Sequence, residues 1–305
     1  MTQSVDPAVF KAFEHDGWQA VYAGYHDAFG DLTTQAVGPL LDAVGAGPGV
    51  RLLDVATGPG YVARAAAHRG AGVVGVDFSA AMVAFARRLH PGLEFAEGDA
   101  EALALPDRSF DAVVMNFGLL HLARPEQALA EACRVLRPGG RLAFTVWSKP
   151  EEAVGFRIVL RAVEAHGDLS VPLPPGPPFF RFSDPEECRR TLLAAGFVDP
   201  RVAPIPQVWR LPSPDALWEA IEGSTVRTRA LLRAQRPEAL AAIRAAVRAA
   251  VGAYQRGRAI ELPMPAVLAS AAKPTPHWPD SERSSPRGGS RTLPGKAGTG
   301  KGGDA

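Results

Sequence analysis

The stretch that decides the fold is LLDVATGPGYVA, residues 52–63. A short aliphatic run reaches Asp54, a turn with Gly58 and Gly60 follows, and residues 61–69 then carry apolar side chains at helical spacing. Glycines let the backbone approach a ligand closely, and the helix that follows offers free N–H groups. A strand, a glycine turn and a helix in this order are typical of α/β folds that bind a ligand at the strand ends.

Short aliphatic runs alternate with helical stretches between residues 50 and 148. Each run is brief and bounded by Gly, Pro or Asp, as expected of strands that are buried on both faces. Strand alternating with helix predicts right-handed βαβ units and a parallel sheet. The predicted strands are VRLLDVA, GVVGVD, LEFAEG, FDAVVMN and GRLAFTVW, and the predicted helices cover 61–69, 80–89 (with Ser79 as N-cap) and 126–136.

The second half of the chain has a weaker pattern. Residues 149–183 are rich in proline and predict an irregular segment that forms a lid or a pocket wall. Asp184 followed by Pro185 is typical of a helix start. The pattern then predicts, in order, a helix over 184–195, a strand over 201–210, a helical insertion over 215–256 and a closing strand IELPMPAVLASA.

Charge and cysteine content limit the classes of partner and compartment. The 305 residues include 33 basic and 32 acidic side chains, for a net charge of +1. Without an overall positive field to recruit nucleic acid, a small-molecule partner is favoured. Cys133 and Cys188 lack metal-ligand spacing, which predicts thiols in a reducing compartment and no metal site. Neither a signal peptide nor a run of roughly 18 apolar residues is recognisable, so we expect a cytoplasmic protein without membrane insertion.

The glycine turn by itself leaves two ligands open. GPGYVA, residues 58–63, satisfies the dinucleotide pattern G-x-G-x-x-A, and Asp77 ends the next predicted strand as a ribose ligand would. An NAD(P)-binding oxidoreductase is therefore one interpretation. Asp54 favours the other, because a carboxylate at the end of the first strand would repel a pyrophosphate and attract the ammonium and sulfonium of S-adenosylmethionine.

Residues 50–148 resemble the class I S-adenosylmethionine-dependent methyltransferases. The similarity is greatest to the group that includes the ubiquinone and menaquinone C-methyltransferases and many small-molecule O-methyltransferases. It rests on four motifs that follow one another at suitable spacing: LLDVATGPG, VVGVDFSAAM, GDAEALALPDRSFDAVV and RVLRPGGRLAF. Ala56 stands where the first glycine of the family's motif usually lies.

The resemblance implies a role for the end of each of the first three strands. Asp54 would line the methionine part of the donor, Asp77 would bind both ribose hydroxyls, and Asp99 would accept a hydrogen bond from the adenine amino group. Phe78 and Met82 would pack on the adenine face. The full set of expected donor-binding residues is Asp54, Ala56, Gly58, Gly60, Asp77, Phe78, Met82, Asp99, Ala100, Asn116 and Tyr25.

The implied reaction is displacement at the methyl carbon. It needs alignment of the reactants, and it needs a base only if the nucleophile carries a proton. The segment MNFGLLHL follows the fourth predicted strand and places Asn116 and His121 beyond its carboxyl end. We take His121 as the candidate catalytic base, because imidazole changes charge near neutral pH. A structural histidine bonded to backbone is the alternative.

Two groups of aromatic residues have a functional and a structural interpretation. Residues 17–30 are expected to form a helix that closes over the donor, with Tyr25 or Tyr22 near the donor carboxylate, or else to pack in the core. The face concerned carries Trp18, Tyr22, Tyr25 and His26. A second group would form an apolar acceptor pocket or pack in the core, and it consists of Trp147, Phe179, Phe180 and Phe182.

The helical insertion is rich in arginine. These side chains are expected on solvated helix faces, with binding of an acidic acceptor as the alternative. They are Arg227, Arg229, Arg233, Arg236, Arg244 and Arg248.

Together these features predict an α/β protein with a Rossmann-like, mostly parallel seven-stranded sheet, helices on both faces and a helical insertion. The expected regions are an N-terminal helical lid (1–49), an S-adenosylmethionine-binding core (50–148), the rest of the sheet with proline-rich and helical acceptor-site insertions (149–272), and a disordered tail (273–305).

The predicted activity is methyl transfer from S-adenosylmethionine to a small apolar or aromatic acceptor, by O- or C-methylation. The alternatives are an NAD(P)-binding oxidoreductase and a non-catalytic binding protein on the same fold. Nucleic-acid methylation is disfavoured, because the chain has neither a basic stripe nor an N/D-P-P-Y-type tetrad. A monomer or a homodimer is expected.

Overall fold

The computed structural model describes residues 5–275. Residues 1–4 and 276–305, which include nearly all of the expected C-terminal tail, lie outside the described residues. The first part of the chain forms α1 (Pro7–Thr33), α2 (Val37–Val44), β1 (Arg51–Val55), α3 (Tyr61–His68), β2 (Gly72–Asp77), α4 (Ala80–Leu89), β3 (Glu94–Glu97), β4 (Phe110–Asn116), α5 (Pro125–Val135) and β5 (Leu136–Trp147). The second part forms α6 (Val154–His166), α7 (Pro185–Ala194), β6 (Val198–Ile205), β7 (Val208–Leu211), α8 (Ala216–Ser224), α9 (Arg227–Arg233), α10 (Pro237–Gly252), β8 (Gln255–Arg256), β9 (Ala259–Pro263) and β10 (Ala266–Ala272).

The main sheet has seven strands in the order β3-β2-β1-β4-β5-β10-β6. The first five strands pair in parallel, whereas β10 runs antiparallel to both of its neighbours. The predicted mostly parallel seven-stranded sheet is confirmed. The strand order reverses between β1 and β4, and the carboxyl ends of these strands open the crevice in which such sheets bind ligands.

The predicted helix starts have the expected hydrogen bonds. Ser79 Oγ accepts a hydrogen bond from the Met82 backbone N–H at 3.2 Å. The Asp184 carboxylate accepts one from the Glu186 N–H at 3.0 Å, and Pro185 is the first residue of α7. Both caps satisfy backbone donors that a helix start leaves without partners.

A second sheet, β7-β9-β8, was not predicted. The strand expected over 201–210 is divided between the two sheets, and so is the expected closing strand, which becomes β9 and β10. Prolines lie at both divisions: Pro206 separates β6 from β7, and Pro263 and Pro265 flank the step from β9 to β10. Because proline has no N–H, it interrupts a ladder and lets the chain change sheets.

The expectation of an irregular segment over 149–183 is wrong for its first half. Residues 154–166 form the 13-residue helix α6, which buries Phe156, Val159 and Val163. The prolines of this segment are concentrated after residue 171, so the sequence before them is free to be helical. The part rich in proline, up to the 3₁₀ turn Arg181–Ser183, contains neither an α-helix nor a strand.

Helix α1 lies over the carboxyl ends of the strands. Asp6 caps it, accepting hydrogen bonds from the N–H groups of Ala8 (2.9 Å) and Val9 (3.3 Å). At its other end, the Thr33 carbonyl accepts a hydrogen bond from Asn116 Nδ2, at the end of β4, at 3.2 Å. None of the helices within residues 5–275 is both long and apolar enough to cross a bilayer.

Candidate active site

A cavity of about 910 Å³, partly open to solvent, lies beneath α1 at the carboxyl ends of the strands. Ten of the eleven expected donor-binding residues line it, and so does His121; the exception is Gly60. Gly60 has a φ of +80°, and a Cβ there would lie 2.7 Å from the Phe95 ring. The turn therefore requires glycine at this position, although the residue does not line the cavity.

Asp54 is completely buried at the end of β1. Its Oδ2 accepts hydrogen bonds from Thr57 Oγ1 (2.6 Å) and the Ala63 N–H (3.1 Å), which ties the strand to the start of α3. Its Oδ1 is buried without a hydrogen-bond partner among residues 5–275. Burial, with a smaller contribution from the nearby Asp77, raises the pKa of the Asp54 carboxyl to about 7. This site can gain a favourable contact by accepting a cation.

Asp77, at the end of β2, has both carboxylate oxygens bonded to backbone. Oδ2 accepts from the Gly58 N–H and Oδ1 from the Ser79 N–H, each at 2.9 Å. Burial raises the pKa of Asp77 to about 6 despite these bonds. A carboxylate oxygen can accept two hydrogen bonds, so each oxygen has room for one more donor, such as a hydroxyl.

Asp99, after β3, is covered by α1. Its Oδ2 accepts from Lys11 Nζ at 2.7 Å, and its Oδ1 accepts from the Glu101 N–H at 2.9 Å. Lys11 also pairs with the fully buried Glu101 carboxylate at 2.9 Å. Sequence reasoning missed both Lys11 and Glu101, because neither a lysine on a helix nor a glutamate in a loop carries a sign of what it will pair with.

In the turns after β1 and β4, two residues other than glycine have a left-handed backbone conformation. Ala56 has a φ of +54° and Phe117 one of +55°. For a residue other than glycine this conformation costs about 1–2 kcal/mol, and such strain is concentrated at functional sites. Gly118 is required opposite Ala56, because a Cβ on Gly118 would lie 2.6 Å from the Ala56 Cβ. Ala56 is thus accommodated by a neighbouring glycine.

His121 ends a 3₁₀ turn, Leu119–His121, and lies where the cavity continues into a second one. Its Nδ1 is 3.0 Å from Glu14 Oε2 on α1. Glu14 has no exposed surface, and its Oε1 is buried without a partner in the described part of the chain. The rings of Trp18 and Phe179 pack edge-on against the imidazole, with centroids 4.9 Å and 5.8 Å away. Sequence reasoning missed Glu14.

The second cavity, of about 490 Å³, is here called the aromatic chamber. It shares Trp18, Tyr25, Phe117 and His121 with the first cavity, so the two adjoin. The remaining lining residues are Phe29, Trp147, Phe156, Phe179 and residues 224–228.

The aromatic residues predicted from the sequence divide between chamber and core. Trp147 and Phe179 line the chamber. Phe180 packs behind it against Phe156 and Phe179. Phe182 is 3% exposed and packs on the core, so for this residue the structural interpretation is correct.

The aromatic face of α1 is also divided. Trp18 and Tyr25 line both cavities, whereas Tyr22 packs against Phe85 and His26 donates to or accepts from the Tyr61 hydroxyl at 2.6 Å. Tyr25 stacks on Phe29, and burial raises the pKa of its hydroxyl to about 12, so it stays protonated. Of the two tyrosines considered for the donor carboxylate, Tyr25 is the one that lines the cavity.

The arginines of the helical insertion do not all face solvent as expected. Arg227 lines the aromatic chamber, and Arg229 is half-buried with its Nε unpartnered within residues 5–275. The other four predicted arginines are exposed, as expected. Over the same residues, no group of three His, Cys, Asp or Glu side chains is placed to hold a metal ion.

Comparison with known proteins finds similarity to methyltransferases. The methyltransferase domain family matches residues 53–144. A demethylmenaquinone methyltransferase of Renibacterium salmoninarum is 47% identical over 111 residues, which are 36% of this chain and 47% of that protein. A ubiquinone/menaquinone biosynthesis C-methyltransferase of Methylobacterium nodulans is 42% identical over 125 residues, covering 36% of this chain and 50% of that protein. The chain spans about half the length of the curated relatives it matches.

A solved structure shares the fold over a longer range. It is a phosphoethanolamine N-methyltransferase of Haemonchus contortus in complex with S-adenosyl-L-methionine, with a TM-score of 0.54 and 20% identity, covering 90% of this chain and 61% of that one. Residues 53–144 thus carry a methyltransferase domain, and by its sheet and motifs the chain is similar to the class I S-adenosylmethionine-dependent methyltransferases.

Proposed function

We propose that the chain transfers a methyl group from S-adenosylmethionine to a small aromatic acceptor of the quinol or phenol type. The observation that carries the proposal is the buried Asp54 carboxylate, whose Oδ1 has no partner within residues 5–275. A cationic amino or sulfonium group satisfies such an oxygen, whereas a pyrophosphate at the same turn would be repelled.

The other residues at the strand ends fit the rest of the donor. The free lone pairs of Asp77 suit a pair of ribose hydroxyls. Phe78 and Met82 offer an apolar surface to a base, with Asp99 and Ala100 at its edge. Asn116 completes the cavity wall; its Oδ1 accepts from Thr145 Oγ1 at 2.6 Å, which holds the amide in place.

The aromatic chamber suits a flat, aromatic acceptor. Its walls are mostly rings, and it adjoins the donor cavity at His121. The relatives in Renibacterium salmoninarum and Methylobacterium nodulans are named for methylation of quinone precursors, which supports an acceptor of this type. Rings on several sides exclude water and orient the acceptor, and these are the main tasks in a methyl displacement.

The donor supplies a methyl group already activated by its sulfonium. A bond forms between the acceptor's nucleophilic atom and the methyl carbon, the carbon–sulfur bond breaks, and S-adenosylhomocysteine leaves. His121 takes the proton that the nucleophile carries. Glu14 accepts a hydrogen bond from the His121 Nδ1–H, which leaves the Nε2 lone pair for the proton. Glu14 is thus a positioning residue for His121.

Isothermal titration tests the donor assignment. We expect S-adenosylmethionine to bind and NADH not to bind, and Asp77→Ala to abolish donor binding because the variant loses the carboxylate that fastens the glycine turn. Asp16→Ala, which removes a carboxylate that is 83% exposed, is the matched control and should bind normally. Binding of NADH but not of the methyl donor would contradict the proposal and favour an NAD(P)-binding oxidoreductase.

Kinetics of two further variants test the base. His121→Ala should lower kcat by about 100-fold and Glu14→Gln by at least about tenfold, while the Kd of the donor stays unchanged. For a nitrophenol acceptor that is already ionised at the assay pH, both deficits should nearly vanish. An equal loss with ordinary and ionised acceptors, or loss of donor binding in the His121 variant, would show that the pair is structural.

A further inference from the structure

Arg227 is a cation in the wall of the aromatic chamber that the proposed chemistry leaves unused. It is the first residue of α9, and its neighbours in the lining include Thr225 and Thr228 from the same segment. Its guanidinium lies over the buried Phe10 ring, with Cζ 5.2 Å from the centroid, and Nη1 donates to the Pro177 carbonyl at 3.0 Å. These contacts from α1 and the proline-rich segment hold the guanidinium in place.

The charge of Arg227 is not balanced by an ion pair. In the described range 5–275, no carboxylate oxygen lies within 4.0 Å of the guanidinium. Burial lowers the pKa of Arg227, opposed only by attraction to Glu14. Glu14 gives one oxygen to His121 and makes no contact with Arg227 shorter than that limit. An arginine nevertheless remains charged at any physiological pH, since its pKa is far above neutrality.

A guanidinium has five N–H donors, and the Pro177 carbonyl accepts from only one nitrogen. A carboxylate is the group whose geometry matches the remaining donors, because it can accept two parallel hydrogen bonds. In a chamber lined mostly by rings, such a contact is little screened by water and is therefore strong. A neutral acceptor would leave the charge of Arg227 without compensation.

We propose that the aromatic chamber selects aromatic acceptors that carry a carboxylate, and that Arg227 binds this carboxylate. The inference rests on the proposed function and names its acceptor class. The carboxylate then lies at Arg227, and the atom to be methylated faces His121, where the chamber meets the donor cavity. Arg227 would select the acceptor by its carboxylate and orient it in the chamber.

Two probes of the same shape test this inference by binding alone. The full chain is titrated with 2-naphthoate and with 2-naphthamide in the presence of S-adenosylhomocysteine, whose own binding is measured first. The wild-type protein should bind 2-naphthoate at least about tenfold more tightly than 2-naphthamide, and Arg227→Gln should remove this preference while changing 2-naphthamide binding by no more than about twofold. Arg227→Lys should keep part of the preference.

Arg233→Gln is the matched control, because Arg233 ends the same helix and is exposed. It should preserve the preference. Equal affinity for the two probes in the wild-type protein, binding of neither probe, or an equal loss of both in Arg227→Gln would overturn the inference. If S-adenosylhomocysteine does not bind but the preference for 2-naphthoate depends on Arg227, the proposed methyl transfer fails and the carboxylate site stands.

Discussion

Burial of the Asp54 carboxylate lowers the free energy of unfolding whenever no cation lies beside it. The side chain is fully buried, one oxygen has two hydrogen bonds, and the other has none within residues 5–275. The pKa of about 7 means that the folded protein takes up a proton at Asp54 that the unfolded chain releases near pH 4. A site so arranged favours binding of a positively charged ligand over remaining empty.

The pH dependence of stability should report this cost. Between pH 4 and 7 the folded state binds more protons at Asp54 than the unfolded state does, so its contribution to the free energy of unfolding falls as pH rises through this window. Each unit of pKa difference corresponds to about 1.4 kcal/mol. We expect Asp54→Asn, which has no such titration, to gain stability relative to wild type as pH rises from about 4 to about 7, in urea denaturation without donor.

The comparison between the two proteins cancels the other groups that titrate in this window. Asp77, with its pKa of about 6, contributes with the same sign, and His90, whose pKa is lowered by burial, contributes with the opposite sign. Both residues are present in wild type and variant. The difference between the two curves of unfolding free energy against pH therefore reports Asp54, together with its electrostatic interaction with Asp77. Parallel curves for wild type and variant would mean that Asp54 is ionised in the folded state throughout.

At the scale of elements, α1 determines which side chains meet in the site. Lys11 reaches Asp99, Glu14 reaches His121, and Gln19 Oε1 accepts from Ser79 Oγ (2.5 Å) and the Ala81 N–H (2.8 Å). These contacts fall on the ends of β3, β4 and β2 in turn. Helix α1 therefore forms one wall of the donor cavity, and some of its aromatic residues also line the chamber.

Close packing of α1 against α8 depends on glycine. A Cβ at Gly24 would lie 2.6 Å from the backbone carbonyl oxygen of Gly223, which cannot move without moving α8. We expect Gly24→Ala to destabilise the protein by about 1–3 kcal/mol and to raise the KM for the acceptor, because α8 leads directly into the chamber wall. Chemical denaturation and acceptor kinetics measure the two effects.

A second helical glycine provides the control. Gly38 in α2 has no atom within 4 Å of an added Cβ. Gly38→Ala should therefore be neutral or stabilising by up to about 1 kcal/mol, since alanine is the better helix former. Equal effects of the two substitutions would contradict a close contact between α1 and α8.

Across the molecule, the two cavities draw on different parts of the chain. The donor cavity takes most of its wall from residues 53–144, the region that matches the methyltransferase domain family. In the aromatic chamber only Phe117 and His121 belong to that region; the other lining residues come from α1, the end of β5, α6, the proline-rich segment and residues 224–228. The match to the methyltransferase domain family thus covers most of the wall of the first cavity and little of the wall of the aromatic chamber.

One large hydrophobic cluster joins these parts. It runs from Phe29 in α1 through the main sheet to Leu217 in α8 and Val247 in α10. The small sheet contributes Trp209, whose indole N–H donates to the Ala28 carbonyl at 3.0 Å. Residues in the walls of both cavities therefore pack in the same cluster.

The sequence by itself determined the sheet and the donor-side residues, because these depend on local signals. Buried parallel strands are short aliphatic runs, a glycine turn after such a run shapes a ligand site, and an acid at the end of a strand lies at the crevice. Those rules led from LLDVATGPGYVA to Asp54, Asp77 and Asp99. The prediction from periodicity was wrong where prolines divide the expected strands between two sheets. The pattern of apolar residues within a strand does not indicate which sheet the strand joins.

Only the tertiary structure decided which distant residues complete the site. Glu14 and His121 are 107 positions apart, and Lys11 and Asp99 are 88 apart. An acid or a base on an amphipathic helix has the same local pattern whether it faces solvent or a buried partner, so neither pair has a signature in the sequence. Arg227 is the clearest case: its sequence context is typical of a solvated helix face, and the fold makes it a lining residue of the chamber.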